Sequence, residues 1–359
     1  MDAIAFWLPV VWAVLIATAV VMYVILDGFD LGIGILFPFA RNSTDRDTMI
    51  GSIAPFWDGN ETWLVLGGGG LWVAFPAAYA AIMPANYLPV IIMLLALIFR
   101  GVSFEFRAVS KPRHGAWTVA FSAGSIVAAF AQGVILGNLI HSVGGAASRS
   151  DTLISQWTVP LSAEIDRLND LVVLPEWLSL FGILCGVGLV AGYALLGATW
   201  LMARTGGGLA EKSRRQARLL LVVVLIFIAA VSLWTPLEHE RIEERWFSTP
   251  NIYFLWLLPA ITLLVALSAW RALGSGAEVK PFVASMLLFL LCYLGLGISV
   301  FPVIAPPDLT IWDAAAVPES QIFTLIGVLI MLPIILAYTA FVYWTFLREG
   351  KVVAGAGYQ

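Results

Sequence analysis

Long apolar runs broken by short polar stretches repeat along the whole chain. A run of roughly 20 mostly apolar residues is the length at which a helix crosses the hydrocarbon of a bilayer. Nine such runs predict membrane-spanning helices near residues 6–26, 62–83, 86–106, 117–140, 177–203, 217–237, 251–271, 281–304 and 322–347. The first can continue as helix through the glycine-rich DGFDLGIGILFPF. The longest connection, 141–176, contains PLSAEIDRLNDLVV. There Leu161, Ile165, Leu168 and Val172 recur at helical spacing and suggest an interfacial helix. The expected fold class is all-α, a polytopic membrane protein forming one integral-membrane domain over residues 1–359.

Composition agrees with the pattern. The 359 residues are 60% hydrophobic and only 12% charged, with a mean hydropathy of +0.92. Soluble domains carry about 25% charged residues, so the bilayer is the solvent. No basic patch with interleaved aromatics is present, which excludes nucleic acid as a partner. The N-terminus opens Met-Asp without a positive leader, and its apolar run is long enough to span, so it reads as a first helix and not as a cleaved signal. Cys185 and Cys292 lie far apart inside apolar runs and are expected to be small core residues.

Basic residues set the expected orientation. Arg41, Arg46, Arg107, Lys111, Arg113, Arg204, Lys212, Arg214, Arg215, Arg218, Arg271, Lys280, Arg348 and Lys351 fall on one side of the nine-span topology. Only Arg149, Arg167, Arg241 and Arg245 fall on the other. Basic loops stay in the cytoplasm, which puts the N-terminus outside and the C-terminus inside. Gly182 and Gly186 are four apart, as are Gly188 and Gly192, and this spacing lets helix backbones approach closely. The GGGG run at 67–70 lies within a span and favours helix packing over phosphate binding.

The polar residues that interrupt this pattern gather at one edge. Asp27 and Asp30 end the first span on the cytoplasmic side, and Asp58 and Glu61 begin the second on that side. Arg100 and Glu105 occupy the last turns of the third. Residues three apart share a helical face, which fits the pairs Asp27/Asp30 and Asp58/Glu61. Arg100 lies about two turns before Arg107, at a depth where a charge costs roughly 2.5–3.5 kcal/mol or more. It calls for a carboxylate partner. Acids in excess of that single arginine suit a proton relay and suit a cation site equally. Trp57 and Trp63 bracket Asp58, Asn60 and Glu61 and are expected as interfacial anchors.

Redox cofactors find few ligands. The three histidines, His114, His141 and His239, lie in connections or at a helix end, whereas membrane haem needs axial ligands within helices. Met22 and Met93 lie in spans, where methionine serves as core. There is no CxxCH, no dinucleotide fingerprint and no P-loop, and no metal-binding spacing.

Several motifs together resemble a known family. LDGFDLGIG, APFWDGNETWLVLGGG, FRGVSFEFR, GYALLGATWL, TIWDAAA and PIILAYTAFVYW are similar to subunit II of the cytochrome bd quinol oxidases, in the family's order and over residues 27 to 344. The NETW and FRGVSFEFR forms look most like the cyanide-insensitive branch. The resemblance implies a respiratory complex of the bacterial inner membrane that oxidises quinol, with ubiquinol as the expected substrate, and reduces dioxygen to water. It implies haems b558, b595 and d carried mainly by subunit I as the principal partner. It also implies two four-helix bundles plus a peripheral helix, and a role in bringing cytoplasmic protons to the haem site. A small accessory subunit, a structural quinone and lipid are further candidate partners. The family's WDGN acid falls on Asp58, its DGFD acids on Asp27 and Asp30, and its buried arginine on Arg100. Glu61 is Gln in some relatives, and Glu105 completes the expected proton-path residues.

Two other classes compete with this reading. A proton- or Na⁺-coupled secondary transporter would place its site near the midplane on broken helices, whereas these acids cluster at one edge. A purely structural assembly subunit would carry idle carboxylates. Co-purification of a haem-rich partner separates the oxidase subunit from the transporter.

Overall fold

A computed structural model describes residues 3–109, 114–141, 175, 177–305, 307–348 and 350–352. The interfacial helix expected within 160–173 and the basic residues Lys111, Arg113, Arg149 and Arg167 lie outside the described residues.

The described chain is almost entirely helical. Helix α1 (Ala3–Leu36) is followed by a short 3₁₀ turn and by α2 (Ser43–Gly51), α3 (Trp57–Ala74), α4 (Pro76–Ala85), α5 (Tyr87–Val109) and α6 (His114–His141). Then come α7 (Leu180–Arg204), α8 (Gly207–Glu238), α9 (Glu240–Phe247), α10 (Asn251–Leu255), α11 (Leu257–Gly274), α12 (Lys280–Val300) and α13 (Pro318–Arg348). A hairpin of β1 (Val303–Ala305) and β2 (Leu309–Thr310) precedes α13. Among the described residues, eight helices are long and apolar enough to cross a membrane. The chain is an all-α polytopic membrane protein.

Helices α1, α3, α5 and α6 form one group, and α7, α8, α11 and α12 form another, joined where α7 packs on α1 and α6. Helix α13 lies outermost against α3 and α1, with none of its most apolar stretch buried in the chain.

The second expected span, 62–83, is two helices and not one. Phe75 takes φ −134° and ψ 63°, and Pro76 starts α4. A residue before proline is pushed out of the α region, and proline brings no N–H to continue the ladder. The carbonyl of Ala74 at the break accepts instead from the Ala316 N–H at 2.9 Å. Phe75 and Ala78 pack with Trp12, Ala305, Ile311 and Ala314, so the hairpin and its following turn close over the break. The first expected span runs longer than 6–26. Helix α1 continues to Leu36, placing Asp30 roughly 9 Å of helical rise before its end at 1.5 Å per residue.

Glycine sets the helix spacing where the sequence predicts it. A Cβ on Gly137 would lie 2.6 Å from Gly182 Cα, and one on Gly186 would lie 2.7 Å from the Phe130 ring, so this pair receives α6. Gly188 and Gly192 meet Phe227 of α8 and Phe289 of α12. In the GGGG run, Gly67 and Gly70 face Val20 and Ile16 of α1, while Gly68 and Gly69 face open space. Cys185 is buried as expected; Cys292 is exposed on α12 and is not a core residue.

Candidate functional site

The expectation that six ionisable groups gather at one edge resolves into a smaller, deeper cluster. Asp27 and Asp30 of α1 and Arg100 of α5 are fully buried. Arg100 Nη2 lies 2.9 Å from Asp27 Oδ1 and 3.9 Å from Asp30 Oδ2, and Arg100 Nη1 lies 3.6 Å from Glu61 Oε2. The guanidinium N–H directions do not line up on Asp27 or Glu61 as hydrogen bonds. These contacts are therefore charge pairs by proximity.

Local sequence explains why these side chains meet. Gly28 and Gly32 let α1 press against Tyr193 and Gly197 of α7, where any added Cβ would collide. Gly124 of α6 does the same for α5, since its Cβ would lie 2.7 Å from the Ala96 carbonyl and 3.2 Å from Arg100 Cβ. The absence of a Cβ at these three glycines lets both the acids and the arginine sink below the packed surface. The guanidinium also lies 5.8 Å from the ring centroids of Trp57 and of Phe104, which stack on each other at 4.6 Å and 4°. Cation–π attraction of this kind strengthens when the cation is desolvated.

Asn60, quoted in the motif but not assigned a role, is the polar hub of α3. Its Nδ2 donates to Asp30 Oδ2 at 2.7 Å and to the Leu26 carbonyl at 3.3 Å, and its Oδ1 accepts from Tyr343 Oη of α13 at 3.0 Å. The inward stripe of α3 is Asn60, Trp63 and Gly67, at helical spacing. A polar residue on a stripe shared with tryptophan and glycine is the signal by which the sequence marks Asn60. Two residues are roughly 200° around a helix of 3.6 residues per turn, so Asp58 points the other way and is exposed. Asp58 and Glu61 therefore do not share an inward face. Glu61 sits between, with 26% of its side chain exposed.

The remaining expected residues divide. Glu105 is exposed on α5 and lies outside the cluster. Trp63 is 2% exposed and packs with Ala19 and Tyr23, so it is a core residue and not an interfacial anchor. It occupies the stripe that α3 turns toward α1. Trp57 is half-buried over Arg100. Arg107 pairs with Asp47 at 2.9 Å and lies over the Phe37 ring, with 12% of its side chain exposed.

Residues 8–346 match the family described as cytochrome bd terminal oxidase subunit II. The chain belongs to that family. It is 32% identical to "Cytochrome bd-I ubiquinol oxidase subunit 2" of Escherichia coli (strain K12), covering 93% of each chain. It is 27% identical to "Cytochrome bd ubiquinol oxidase subunit 2" of Bacillus subtilis (strain 168), covering 94% of this chain and 95% of the relative. Its fold matches a chain in the structure of bd oxidase from Geobacillus thermodenitrificans, with a TM-score of 0.69 at 16% identity, covering 95% of this chain and 99% of that one. As a subunit II of a cytochrome bd oxidase, the chain is part of a quinol oxidase in the bacterial inner membrane. Its complex includes subunit I and uses haem and quinol.

Among the described residues, the histidines lie at helix ends. His114 and His141 are the terminal residues of α6, and His239 is the C-cap of α8, buried beside α9.

Proposed function

We propose that this subunit II supports assembly with subunit I and supplies protons from the cytoplasmic face for the reduction of dioxygen to water. Haems b558, b595 and d then reside mainly in subunit I, which fits histidines confined to helix ends. The bias of basic residues supports a cytoplasmic position for the end of the bundle bearing Arg41, Arg204 and Arg348, with the N-terminus outside.

One observation carries this reading: three carboxyl groups surround a single guanidinium in an apolar interior, and one of them, Glu61, reaches the surface. A hydrocarbon core passes protons only through chains of acids, hydroxyls and waters. Asp58 and Glu105, exposed on neighbouring helices, act as proton acceptors at the surface. Glu61 links that surface to Asp27 and Asp30, and Arg100 holds compensating charge. The alternative of a cation site is less favoured, since the Arg100 guanidinium already stands among the three carboxyl groups where a cation would have to sit.

Ubiquinol is the proposed substrate, as named for the relatives. For a structural quinone, the apolar groove of about 570 Å³ between α3 and α13, lined by Leu66, Phe323, Ile326 and Met331, is the place in this chain suited to an isoprenoid tail.

Glu61→Gln in the complete oxidase tests the reading. The expected result is normal haem content with slowed quinol-driven oxygen consumption. Wild-type turnover would favour an assembly subunit with idle carboxylates.

A further inference from the structure

Both ends of the Asn60 amide are committed. Nδ2 donates to Asp30 Oδ2 at 2.7 Å and to the main-chain carbonyl of Leu26 at 3.3 Å. Asn60 is buried, and its two acceptors lie one turn apart on α1. At the other end, Oδ1 accepts from Tyr343 Oη at 3.0 Å. Tyr343 belongs to α13, the outermost helix, and its ring stacks on Phe56 at 4.5 Å. The Phe56 carbonyl accepts the main-chain N–H of Asn60 at 3.0 Å, so the ring and the hydroxyl of Tyr343 dock on one turn at the start of α3.

The Leu26 carbonyl fixes which way the amide faces. A carbonyl only accepts, and an amide has a donor end and an acceptor end. Turning Asn60 over would set its oxygen against the Leu26 oxygen in a buried place, a cost that no change of protonation at Asp30 removes. Asn60 therefore presents an N–H to Asp30 Oδ2 whether or not that carboxyl carries a proton. Arg100 Nη2 faces the same oxygen at 3.9 Å, and a guanidinium also only donates. A proton arriving at Asp30 is thus seated on Oδ1, the other oxygen. The remaining ionisable groups of the cluster are Asp27 on α1 and Glu61 on α3, at 2.9 and 3.6 Å from Arg100.

We propose that Asn60 is a positioning residue for Asp30, supported from the peripheral helix by Tyr343. The amide keeps Oδ2 of Asp30 as the accepting oxygen, so that a proton passing through the cluster is carried on Oδ1. Tyr343 satisfies the amide oxygen and, by polarising the amide, strengthens its N–H as a donor. The assignment deepens the proton-supply reading and rests on it for its functional meaning. Which oxygen of Asp30 carries the proton can be read independently of turnover.

The test uses the purified complex with Asn60→Leu, which removes the amide at similar volume, and Tyr343→Phe, which removes one oxygen and keeps the ring. Redox-induced infrared difference spectra are recorded in the carboxyl C=O region. The Asp30 band is identified by its downshift on ¹³C-labelling of aspartate and by its loss on adding Asp30→Asn. A carboxyl C=O that accepts a hydrogen bond absorbs at lower frequency than a free one. The band is therefore expected to move up in Asn60→Leu and, by less, in Tyr343→Phe. Turnover per haem is expected to fall about fivefold in Asn60→Leu, the scale of one hydrogen bond, with KM for quinol unchanged. The solvent deuterium isotope effect on turnover should rise with it, which a mere loss of packing between α3 and α1 would not cause. Adding Tyr343→Phe to Asn60→Leu should move the band no further, because the phenol acts through the amide. Tyr343→Phe carries the test where Asn60→Leu fails to assemble. The proposal is overturned if the Asp30 band keeps its wild-type position in the variants that assemble, or if the wild-type complex shows no such band. If the band moves while turnover and isotope effect do not, the positioning of Asp30 stands and the proton-supply reading fails.

Discussion

Arg100 Nη2 and Asp27 Oδ1 lie 2.9 Å apart, and neither side chain has any exposed surface within this chain. A buried pair of this kind adds little stability over a well-packed apolar pair, but breaking it strands the survivor, at a cost of about 3–5 kcal/mol. Arg100→Leu is therefore expected to deplete haem-containing complex in the membrane far more than Arg107→Leu does. Arg107 pairs with Asp47, whose side chain is 37% exposed and can be solvated after the loss. Haem content per unit of membrane protein measures both. Equal losses in the two variants would show that Arg100 is not the counter-charge of the cluster.

Close helix packing gives a second, chemically independent expectation. A Cβ on Gly137 would lie 2.6 Å from Gly182 Cα, a backbone atom that cannot swing aside, whereas one on Gly68 meets nothing within 4 Å. Overpacking a tight contact costs roughly 1–3 kcal/mol. Gly137→Ala should lower the melting temperature of the purified complex, and Gly68→Ala should leave it nearly unchanged if the open space facing Gly68 is not filled by subunit I. A low melting temperature for Gly68→Ala alone would identify that face of α3 as tightly packed against the partner.

The fold was largely legible because the bilayer imposes a length on every apolar run. Seven of the nine predicted spans correspond to single long apolar helices, and the span 251–271 falls on α10 and α11, which meet at Trp256 and together are long enough to cross. The break at Phe75 was harder to see, since Pro76 lies inside an apolar run and Ala316, whose N–H donates to the carbonyl freed at the break, is more than 200 residues away. Within the site, spacing brought Asp27, Asp30 and Arg100 together correctly. It misled for Asp58 and Glu61, because a separation of three fixes two residues relative to each other and says nothing about which way their shared face turns. Asn60 and Trp63 take the inward stripe instead. Tyr343 joins the site through the tertiary packing of α13, which no local pattern announces.

Asn60 offers a graded comparison. It bonds Asp30 and the Leu26 carbonyl through one atom and Tyr343 through another. Asn60→Leu leaves these partners unsatisfied in an apolar interior, at about 1–3 kcal/mol for each group. Tyr343→Phe removes a single donor and leaves the ring stacked on Phe56, whose centroid is 4.5 Å away. Thermal melting and haem yield of the complex are expected to fall clearly for Asn60→Leu and slightly for Tyr343→Phe. A larger loss in Tyr343→Phe would mean that the hydroxyl serves the docking of α13 more than it serves Asn60.

Asp58 tests where protons enter. It is exposed, on the side of α3 away from Asn60, and so stands apart from the Arg100 charge pairs. Any role it has in proton supply must therefore be reception at the surface, with Glu61, 26% exposed and 3.6 Å from Arg100, as the next carboxyl inward. Asp58→Asn keeps the shape and the hydrogen bonding of the side chain and removes only the titratable group. Assembly and haem spectra should match the wild type. Quinol-driven oxygen consumption should slow, and most severely at high pH, because each pH unit lowers the free proton concentration tenfold and a surface acceptor matters most when protons are scarce. Glu61→Gln should be slower still and less dependent on pH, since it interrupts the path after reception. An Asp58→Asn enzyme that turns over like the wild type at every pH would place entry elsewhere on this surface, with Glu105 of α5 as the next residue to change.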